Sequence, residues 1–588
     1  MTVAIRGGTL VDGTGAAPYR ADVVIEGERV ASIVPVDGSA GDKDAGAGAD
    51  TVIDATGMLV APGFVDLHTH YDAQLFWDPN ASPSPLHGVT TVLGGNCGFS
   101  LAPLDPDGAD YISRMMARVE GMPLAALRAG VPWDWSSFGD WLGRLDGRIA
   151  VNAGFLVGHS TLRRLVMGER AVGGAASAED VDAMEAALHA ALEDGAMGFS
   201  TSQVHTHNDG DGNPVPSRAA SRAEMERLAA AVRPHEGTTV ELIVPGCLNG
   251  FTDEEIDFMA TMSLLADRPV NWNVLGVSAM NPDGAKHQLA AGTAAAERGA
   301  TVLALTLPHT MQVRLSFVHG AILDGLPRWR EVFALPYEDR MAAFSDPETR
   351  RRLDAGAQSE EAGILRHLAV WERLIFEETF AGENAAVEGR TVGEVARERG
   401  VAPFDALLDV VVADGLRTGL RPPIGESEQD WVLRVETWQD PRAIVGGSDA
   451  GAHLDTMCGA VYSTSMLGDA VRTRGLMSWE QAVRQLTDVP ARLYGLRDRG
   501  RLAPGAFADV VVFDPASIGH TPVRTRDDLP GGASRLYAEA TGVRHVLVNG
   551  TEIARDGEFT GATPGTVLRS GRDTDTVHAG SDWAGVPA

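Results

Sequence analysis

The chain has 588 residues, of which 44% are hydrophobic, 22% charged and 6% aromatic. This length is too great for one small domain, and the apolar fraction is that of a folded globular protein, which excludes a wholly disordered chain. With 49 basic and 80 acidic residues the formal charge is −31, which argues against nucleic acid or an anionic membrane as a partner because both would repel the protein.

The cysteine content and the first residues predict where the protein works. Cys97, Cys247 and Cys458 cannot form a disulfide framework for so long a chain, which favours a reducing compartment. The first residues lack a basic segment followed by an apolar core, and no apolar run reaches the roughly 18 residues of a membrane-spanning helix. We therefore expect a cytoplasmic protein, and the sequence leaves the oligomeric state open.

The two ends of the chain have a β-type pattern. Apolar and polar positions alternate in VAIRGGTLVDG, ADVVIEGERVASIVP and DTVIDATGMLVAPG, between glycine and aspartate turns. Residues 38–50 predict a loop, and the same β pattern returns in FADVVVFDP and RHVLVNGTEI. We expect both ends to form one small β domain, followed by a tail over the last twenty or so residues.

Between the ends, buried strands alternate with helices. The predicted strands are LVAPGFVDLHTH, GVTTVLGGNCGFS, RIAVNAGFLVGHSTLR, GAMGFSTSQVHTH, TTVELIVPG, RPVNWNVLG, ATVLALTLPHT and AIVGGSDAGAH. Apolar residues at helical spacing predict helices over 178–195 and around 285–298. Eight strands of this kind indicate an α/β protein with a (β/α)8 TIM barrel. The long gap at about 308–440 predicts a helical insertion, with SEEAGILRHLAVWERLIFEE among its helices.

The carboxyl ends of the strands form the active site of such a barrel, and three of them carry metal-ligand side chains. Strand one ends in His68-Thr69-His70, whose two imidazoles share a face and can bind one ion. Cys97 follows strand two and is either a thiolate ligand or a small buried hydrophobe. Asp449 follows strand eight, where it can bind the metal, accept a proton from water, or form a turn.

Further polar residues lie near other strand ends, each with a structural role as the alternative. Candidates for metal or substrate binding are Glu241, Asn273, His159, His205, His207, His309 and His453. Glu241 stands among apolar residues in TTVELIVPG, and a carboxylate in such a strand normally needs a partner, for which a cation is one possibility.

These motifs resemble the amidohydrolase superfamily and, within it, the N-acyl-D-amino-acid deacylase (D-aminoacylase) family. The resemblance is carried by VIDATGMLVAPGFVDLHTHYDAQ, GVTTVLGGNCGFSLAP, FLVGHSTLRRLVMG, GGSDAGAH and TDVPARLYGLRDRGRLAPGAFADVVVFDP. It implies a hydrolase barrel over 62–499 and a β-sandwich formed by 1–61 and 500–565.

The resemblance also implies roles for the strand-end residues. His68, His70 and Asp449 would bind one metal ion, Cys97 would lie between two metal positions, and Asp449 would be the general base that later protonates the leaving nitrogen. The family places a histidine after strands five and six, but this chain has none between Glu236 and Lys286.

The missing histidines favour a single ion, and the Cys and His ligands favour zinc. A second ion held by Cys97 and Glu241 is the alternative. Relatives also carry an arginine after the strand-eight aspartate that grips the substrate carboxylate, whereas this chain reads DAGAHLD there. Either another arginine substitutes, or the substrate is not a simple N-acyl amino acid.

The sequence thus predicts a metal-dependent amidohydrolase that cleaves an amide C–N bond in a small molecule, with no nucleic acid or membrane partner. A bound metal would activate water, and Asp449 would transfer its proton to the leaving nitrogen. Hydrolysis of a cyclic amide, lactone or carbamate is one alternative. A non-catalytic binding protein on a degenerate scaffold is the other.

Overall fold

The computed structural model describes residues 1–36, 48–105, 108–308, 312–318, 320, 322–422 and 427–581. Most of the predicted loop at 38–50 and the candidate His309 lie outside these ranges. The chain forms two compact units. The first comprises Met1–His309, Ser427–His453 and Cys458–Ala588, and the second comprises Thr310–Glu426 and Leu454–Met457.

Eight parallel strands form the centre of the first unit, and each lies where the sequence predicted one. They are β1 (Phe64–Asp66), β2 (Val89–Gly94), β3 (Asn152–Phe155, resumed at Val157–Gly158), β4 (Gly198–Ser202), β5 (Thr239–Ile243), β6 (Val270–Leu275), β7 (Val302–Thr306) and β8 (Ala443–Val445). Almost every residue in them is buried, as expected of parallel strands covered on both faces.

The pairing order of these strands follows their order in the chain. β1, β2 and the first part of β3 form one sheet, and the second part of β3 begins a sheet that continues through β4, β5, β6, β7 and β8. Beyond the strand ends, Thr69 and Ala450 form a parallel bridge. His70 N donates to Ala450 O at 2.8 Å and Asp449 N donates to His68 O at 3.0 Å. The segments after β1 and β8 are therefore held side by side.

Helices fill the connections between these strands, and further helical segments follow β8. Their bounds are Ala109–Val119, Leu124–Gly130, Phe138–Leu145, His159–Met167, Ala178–Glu193, Arg222–Val232, Gly246–Asn249, Asp253–Ala266, Gly284–Ala296, Glu428–Trp438, Tyr462–Ser465, Trp479–Leu486 and Asp488–Leu493, with a π-helical segment at Met466–Thr473. The helix Ala178–Glu193 illustrates how the sequence favours a helix at such a position. Ser177 and Asp180 cap each other's backbone N–H groups, and Met184 and Leu188 are buried on one face. The helices predicted over 178–195 and around 285–298 are both present.

A nine-stranded sheet joins the two ends of the chain. Its N-terminal strands are Thr2–Leu10, Tyr19–Glu26, Arg29–Pro35, Thr51–Asp54 and Leu59–Pro62, and its C-terminal strands are Val510–Phe513, Val543–Val548, Thr551–Arg555 and Glu558–Phe559. Leu59–Pro62 pairs with Thr2–Leu10 on one side and Val510–Phe513 on the other. Two smaller strand pairs accompany it: Gly519–His520 with Ala540–Thr541, and Arg524–Leu529 with Ala533–Tyr537.

The sheet corrects the predicted first barrel strand, because LVAP belongs to it and only Phe64–Asp66 forms β1. Pro62 ends the earlier strand, since proline has no N–H for a ladder. Gly63 then brings the backbone against Thr90, where a Cβ would lie 2.1 Å from the threonine Oγ1. The continuous apolar run concealed this change of sheet.

The second unit has its own core of aromatic and aliphatic side chains. Its helices are Trp329–Phe333, Tyr337–Ser345, Pro347–Gln358, Val392–Arg399 and Pro403–Ala413, and its strands are Ile375–Glu378 and Gly419–Arg421. Trp371 packs against Trp329 and Phe404, with ring centroids 5.7 and 4.9 Å apart.

One helix predicted in this unit is wrong. SEEAGILRHLAVWERLIFEE forms short 3-10 turns at Glu360–Ala369 and Trp371–Arg373, broken at Gly363, whose φ is 54°. Its end, Ile375–Glu378, is a strand paired with Gly419–Arg421. A distant pairing partner has overridden the local helical pattern.

The predicted C-terminal tail is also packed over its described part. Thr574 is fully buried and its Oγ1 donates to Gly237 O at 2.7 Å, while Asp575 N donates to Gly495 O at 2.7 Å. Backbone and hydroxyl hydrogen bonds, which composition does not reveal, hold this polar segment in place. Among the described residues, no helix combines the length and apolar character needed to cross a bilayer.

Candidate metal centre

The side chains predicted as metal ligands meet where β1, β2 and β8 end. His68 Nε2 lies 3.5 Å from Cys97 Sγ and 3.7 Å from Asp449 Oδ1, and His70 Nε2 lies 3.0 Å from the same oxygen. The histidines are 1% exposed, whereas the Asp449 side chain is 28% exposed. Asp449 therefore contacts both imidazoles and is also accessible to solvent.

The backbone around the centre adopts unfavourable conformations. Cys97, Asp449 and His453 have φ values of 56°, 61° and 50°, in the left-handed region that L-residues avoid. Such residues cost on the order of 1–3 kcal/mol each and cluster at functional sites. Local hydrogen bonds hold two of them, because Cys97 N donates to Glu241 Oε2 at 2.8 Å and Asp449 N donates to His68 O.

The candidates on β5 and β6 also face this centre. Glu241 is completely buried, and its Oε1 lies 4.0 Å from His68 Nδ1. Burial raises the pKa of Glu241 to about 8. Asn273 Nδ2 lies 3.3 Å from His68 Nε2 and 3.5 Å from Cys97 Sγ. The two strands on which relatives are expected to carry histidines thus present a carboxyl group and an amide instead.

The remaining histidines separate into two groups. His453 Nε2 is 3.4 Å from Asp449 Oδ2, and the half-buried His207 shares a hydrogen bond with Ser202 Oγ, its Nδ1 lying 2.8 Å from that oxygen. Burial lowers the pKa of His207 to about 3, with a further contribution from His453. Both therefore lie at the centre. His205 is exposed and is not brought into the cluster.

His159 belongs to a different buried cluster. Its Nδ1 lies 2.9 Å from Thr201 Oγ1 and its Nε2 lies 3.0 Å from Glu224 Oε1. Arg163 Nη1 bonds both oxygens of Glu224, at 2.5 and 2.6 Å. With both ring nitrogens engaged, His159 has a structural environment, and the structure does not bring it to the metal centre.

The electrostatics of the centre suit a cation. Burial lowers the pKa of His68 to about 3 and raises the pKa of the Cys97 thiol well above its usual value. Burial also disfavours a charged His70, but Glu120 and Asp449 outweigh it and raise the pKa of His70 to about 10. In return, His70 and His453 hold the pKa of Asp449 below its usual range against the effect of burial.

Several buried polar atoms of the centre lack a hydrogen-bond partner among the described residues. They are His68 Nδ1, His70 Nε2, Glu120 Oε1, Glu241 Oε1 and Asn273 Oδ1. Leaving such atoms unpaired costs about 1–3 kcal/mol each. Two groups of ligand atoms lie within 4.8 Å of one another, namely His68, His70 and Cys97, and His70, Glu120 and Asp449. Imidazole, carboxylate and thiolate donors at these distances fit a zinc ion.

The sequence profile of the amidohydrolase family matches residues 51–554. The chain belongs to this family. D-aminoacylase of Alcaligenes xylosoxydans xylosoxydans is 30% identical to this amidohydrolase, over 96% of each chain. N-acyl-D-aspartate deacylase of the same organism is 30% identical over 96% of this chain and 95% of its own. These matches confirm the resemblance stated from the motifs.

Solved structures agree with the sequence relatives. A crystal structure of D-aminoacylase aligns with a TM-score of 0.61 and 26% identity, covering 96% of this chain and 99% of its own. N-acyl-D-glutamate deacylase from Bordetella bronchiseptica, complexed with zinc and a phosphonate inhibitor, aligns with a TM-score of 0.62 and 25% identity over 97% and 99%. The amidohydrolase therefore shares the mixed α/β fold of these enzymes.

Glu120 is the residue at the centre that sequence reasoning missed. It follows the helix Ala109–Val119 in the β2–β3 connection, is 2% exposed, and places Oε2 3.4 Å from His70 Nε2. Because Glu120 follows a helix and no strand, the strand-end pattern does not include it. One signal was present: an acidic residue at a helix C-terminus opposes the helix dipole, so its position needs another reason.

Proposed function

We propose that this chain is a zinc-dependent amidohydrolase that hydrolyses the amide C–N bond of a small N-acyl amino acid or a related amide. The observation that carries the proposal is the convergence of His68, His70 and Asp449, which follow the first and the last of the eight strands. Asp449 Oδ1 lies 3.7 Å from His68 Nε2 and 3.0 Å from His70 Nε2. Relatives that span nearly the whole chain are named as acylases and deacylases.

The proposed architecture is a (β/α)8 barrel over 62–499, with an insertion at about 308–440 and a β-sandwich formed by 1–61 and 500–565. The chain-order pairing of the eight strands, with the bridge between Thr69 and Ala450, supports closure of the barrel. The separate compactness of Thr310–Glu426 supports the insertion.

His68, His70, Asp449 and Cys97 are the proposed zinc ligands, and a single ion is favoured. A bound zinc ion polarises a carbonyl group and lowers the pKa of its water ligand from about 16 toward 7. In Glu241 and Asn273 the chain lacks the imidazoles that would complete a second position. Glu241 instead holds the Cys97 N–H and faces His68 Nδ1, an arrangement that orients a ligand histidine.

Asp449 is the proposed general base and acid. Because His70 and His453 keep its pKa low, the carboxylate is ionised at neutral pH and can accept a proton from the attacking water. Its partial exposure lets the same oxygen pair return the proton to the departing nitrogen. His453, 3.4 Å from Oδ2, stabilises the ionised form between turnovers.

Arg218 is the proposed replacement for the missing carboxylate clamp. It lies on the loop after β4, half-buried, and its Nη1 donates to His207 O at 3.1 Å and to Asn208 Oδ1 at 3.0 Å. His207 in turn interacts electrostatically with both Arg218 and Asp449. A guanidinium at this place can bind a substrate carboxylate beside the catalytic aspartate.

The test combines elemental analysis with a substrate panel. Purified protein is expected to retain zinc and to hydrolyse N-acyl-D-amino acids in preference to their L-enantiomers. Activity on cyclic amides, lactones or carbamates with none on N-acyl amino acids would replace the proposed substrate class. Absence of bound zinc together with no hydrolysis across the panel would contradict the enzyme and favour a binding protein.

A further inference from the structure

Glu120 is a buried carboxylate for which the family pattern gives no role. It stands immediately after a helix of the β2–β3 connection, away from every strand end. Its Oε2 approaches His70 Nε2 to 3.4 Å, while its Oε1 has no hydrogen-bond partner among the described residues. A buried carboxylate oxygen without a donor is costly, which indicates that a cation completes its environment.

A simple ion pair with His70 does not satisfy this environment. His70 Nε2 faces two carboxylates at once, Glu120 at 3.4 Å and Asp449 at 3.0 Å. One N–H can donate one good hydrogen bond, and one imidazolium balances only one of the two negative charges. A divalent cation balances both.

The backbone ties Glu120 to the segment that carries Asp449. His453 N donates to Glu120 O at 2.5 Å, four residues beyond the aspartate. Glu120 also caps the C-terminus of Ala109–Val119, where the helix dipole adds negative potential. The Glu120 carboxylate thus lies beside His70, is tied by its backbone to the segment that carries Asp449, and stands in negative potential. Each of these observations favours a cation shared by Glu120 and Asp449.

We infer that Glu120 is a ligand of the zinc ion, so that Glu120, His70 and Asp449 form one side of its coordination shell. Their ligand atoms lie within 4.8 Å of one another. The inference rests on the proposed zinc-dependent function and adds a carboxylate where the family pattern has none. The centre thus gains a ligand from the β2–β3 connection while β5 and β6 supply no imidazole.

The experiment measures zinc affinity by chelator competition and the visible spectrum of the cobalt-substituted protein, for wild type, Glu120→Gln and Asp72→Asn. Asp72 is the matched control, because it is a buried carboxylate whose charge acts on His70 and whose Oδ2 accepts from Gly95 N at 3.3 Å, yet it belongs to neither group of closely placed ligand atoms. Glu120→Gln is expected to weaken zinc binding at least tenfold and to change the cobalt spectrum at saturating cobalt. Asp72→Asn should leave that spectrum unchanged.

Wild-type zinc affinity and an unaltered cobalt spectrum in Glu120→Gln would overturn the inference. Should that variant fail to fold, anomalous diffraction at the zinc edge of the wild-type protein decides. A Glu120 oxygen at about 2.0–2.2 Å from the ion supports the inference that Glu120 is a ligand. Glu120 oxygens that both lie outside coordination distance of the ion contradict it. Wild-type protein without zinc would instead refute the proposed function itself.

Discussion

Two clusters of this molecule each combine buried histidine with buried carboxylate beside a strand end, yet they differ in how their polar atoms are satisfied. In the cluster of His159, Glu224 and Arg163, both imidazole nitrogens and both carboxylate oxygens have partners. At the metal centre, His68 Nδ1 and His70 Nε2 have none among the described residues.

The difference distinguishes a histidine in a structural environment from a candidate metal ligand. The first cluster balances its charge with an arginine that bonds both oxygens of Glu224, whereas Glu120 and Asp449 at the centre both face the single nitrogen His70 Nε2. Strained backbone is confined to the second, at Cys97, Asp449 and His453. Unpaired donors, excess negative charge and strain together indicate a site built for an added cation.

The largest expected effect comes from Asp449→Asn. Removing the ionisable carboxylate while keeping its shape should lower kcat by about 10²–10⁴-fold, because both proton transfers are lost. At saturating zinc, thermal unfolding should stay unchanged, since the partly exposed side chain is not a packing element. Steady-state kinetics and calorimetry check this, and near-normal turnover would refute the catalytic role.

His159→Gln should produce the reverse pattern. Losing the bonds to Thr201 and Glu224 leaves buried partners unsatisfied and should lower the free energy of unfolding by about 1–3 kcal/mol. Zinc content should not change, and kcat should fall little. Loss of zinc in this variant would contradict the purely structural role of His159. His205→Gln, an exposed histidine on the β4 loop, is the control.

Arg218→Ala tests substrate binding beside the centre. If the guanidinium holds the substrate carboxylate, KM for N-acyl amino acids should rise about tenfold, equivalent to roughly 1.4 kcal/mol, with a smaller change in kcat. An N-acyl amine that lacks the carboxylate serves as the control substrate and should show no increase. Equal KM changes for both substrates would remove this role from Arg218.

The smallest effect is the pH dependence of stability carried by His159. Burial lowers its pKa more than Glu224 raises it, so the unfolded chain binds a proton more readily than the folded one. Stability should therefore fall as pH drops below about 6.5, by at most roughly 1.4 kcal/mol per pH unit. His159→Gln should flatten this part of the curve between pH 7 and 5. An unchanged curve would contradict the assignment.

The sequence alone predicted the eight strands and brought His68, His70, Cys97 and Asp449 forward as a set, because buried parallel strands have a strong apolar pattern and their carboxyl ends meet. It could not assign the first strand correctly, since Leu59–Pro62 and β1 form one apolar run. The strand at Ile375–Glu378 was missed because its partner lies more than forty residues away.

The contacts of individual side chains were harder to predict from the sequence than the strands. His159 and His70 look alike in sequence, and only their contacts distinguish them. Whether Glu241 faces the centre depends on strand register, which one sequence does not fix. Glu120 reaches His70 from a helix end, a long-range approach that leaves almost no local pattern.

The proposed zinc centre is tested most directly by elemental analysis of three purified proteins: wild type, His70→Asn and His159→Gln. We expect stoichiometric zinc in wild type and in His159→Gln, and loss of zinc in His70→Asn while the protein remains folded. Zinc retained at wild-type level in folded His70→Asn would contradict the proposed centre.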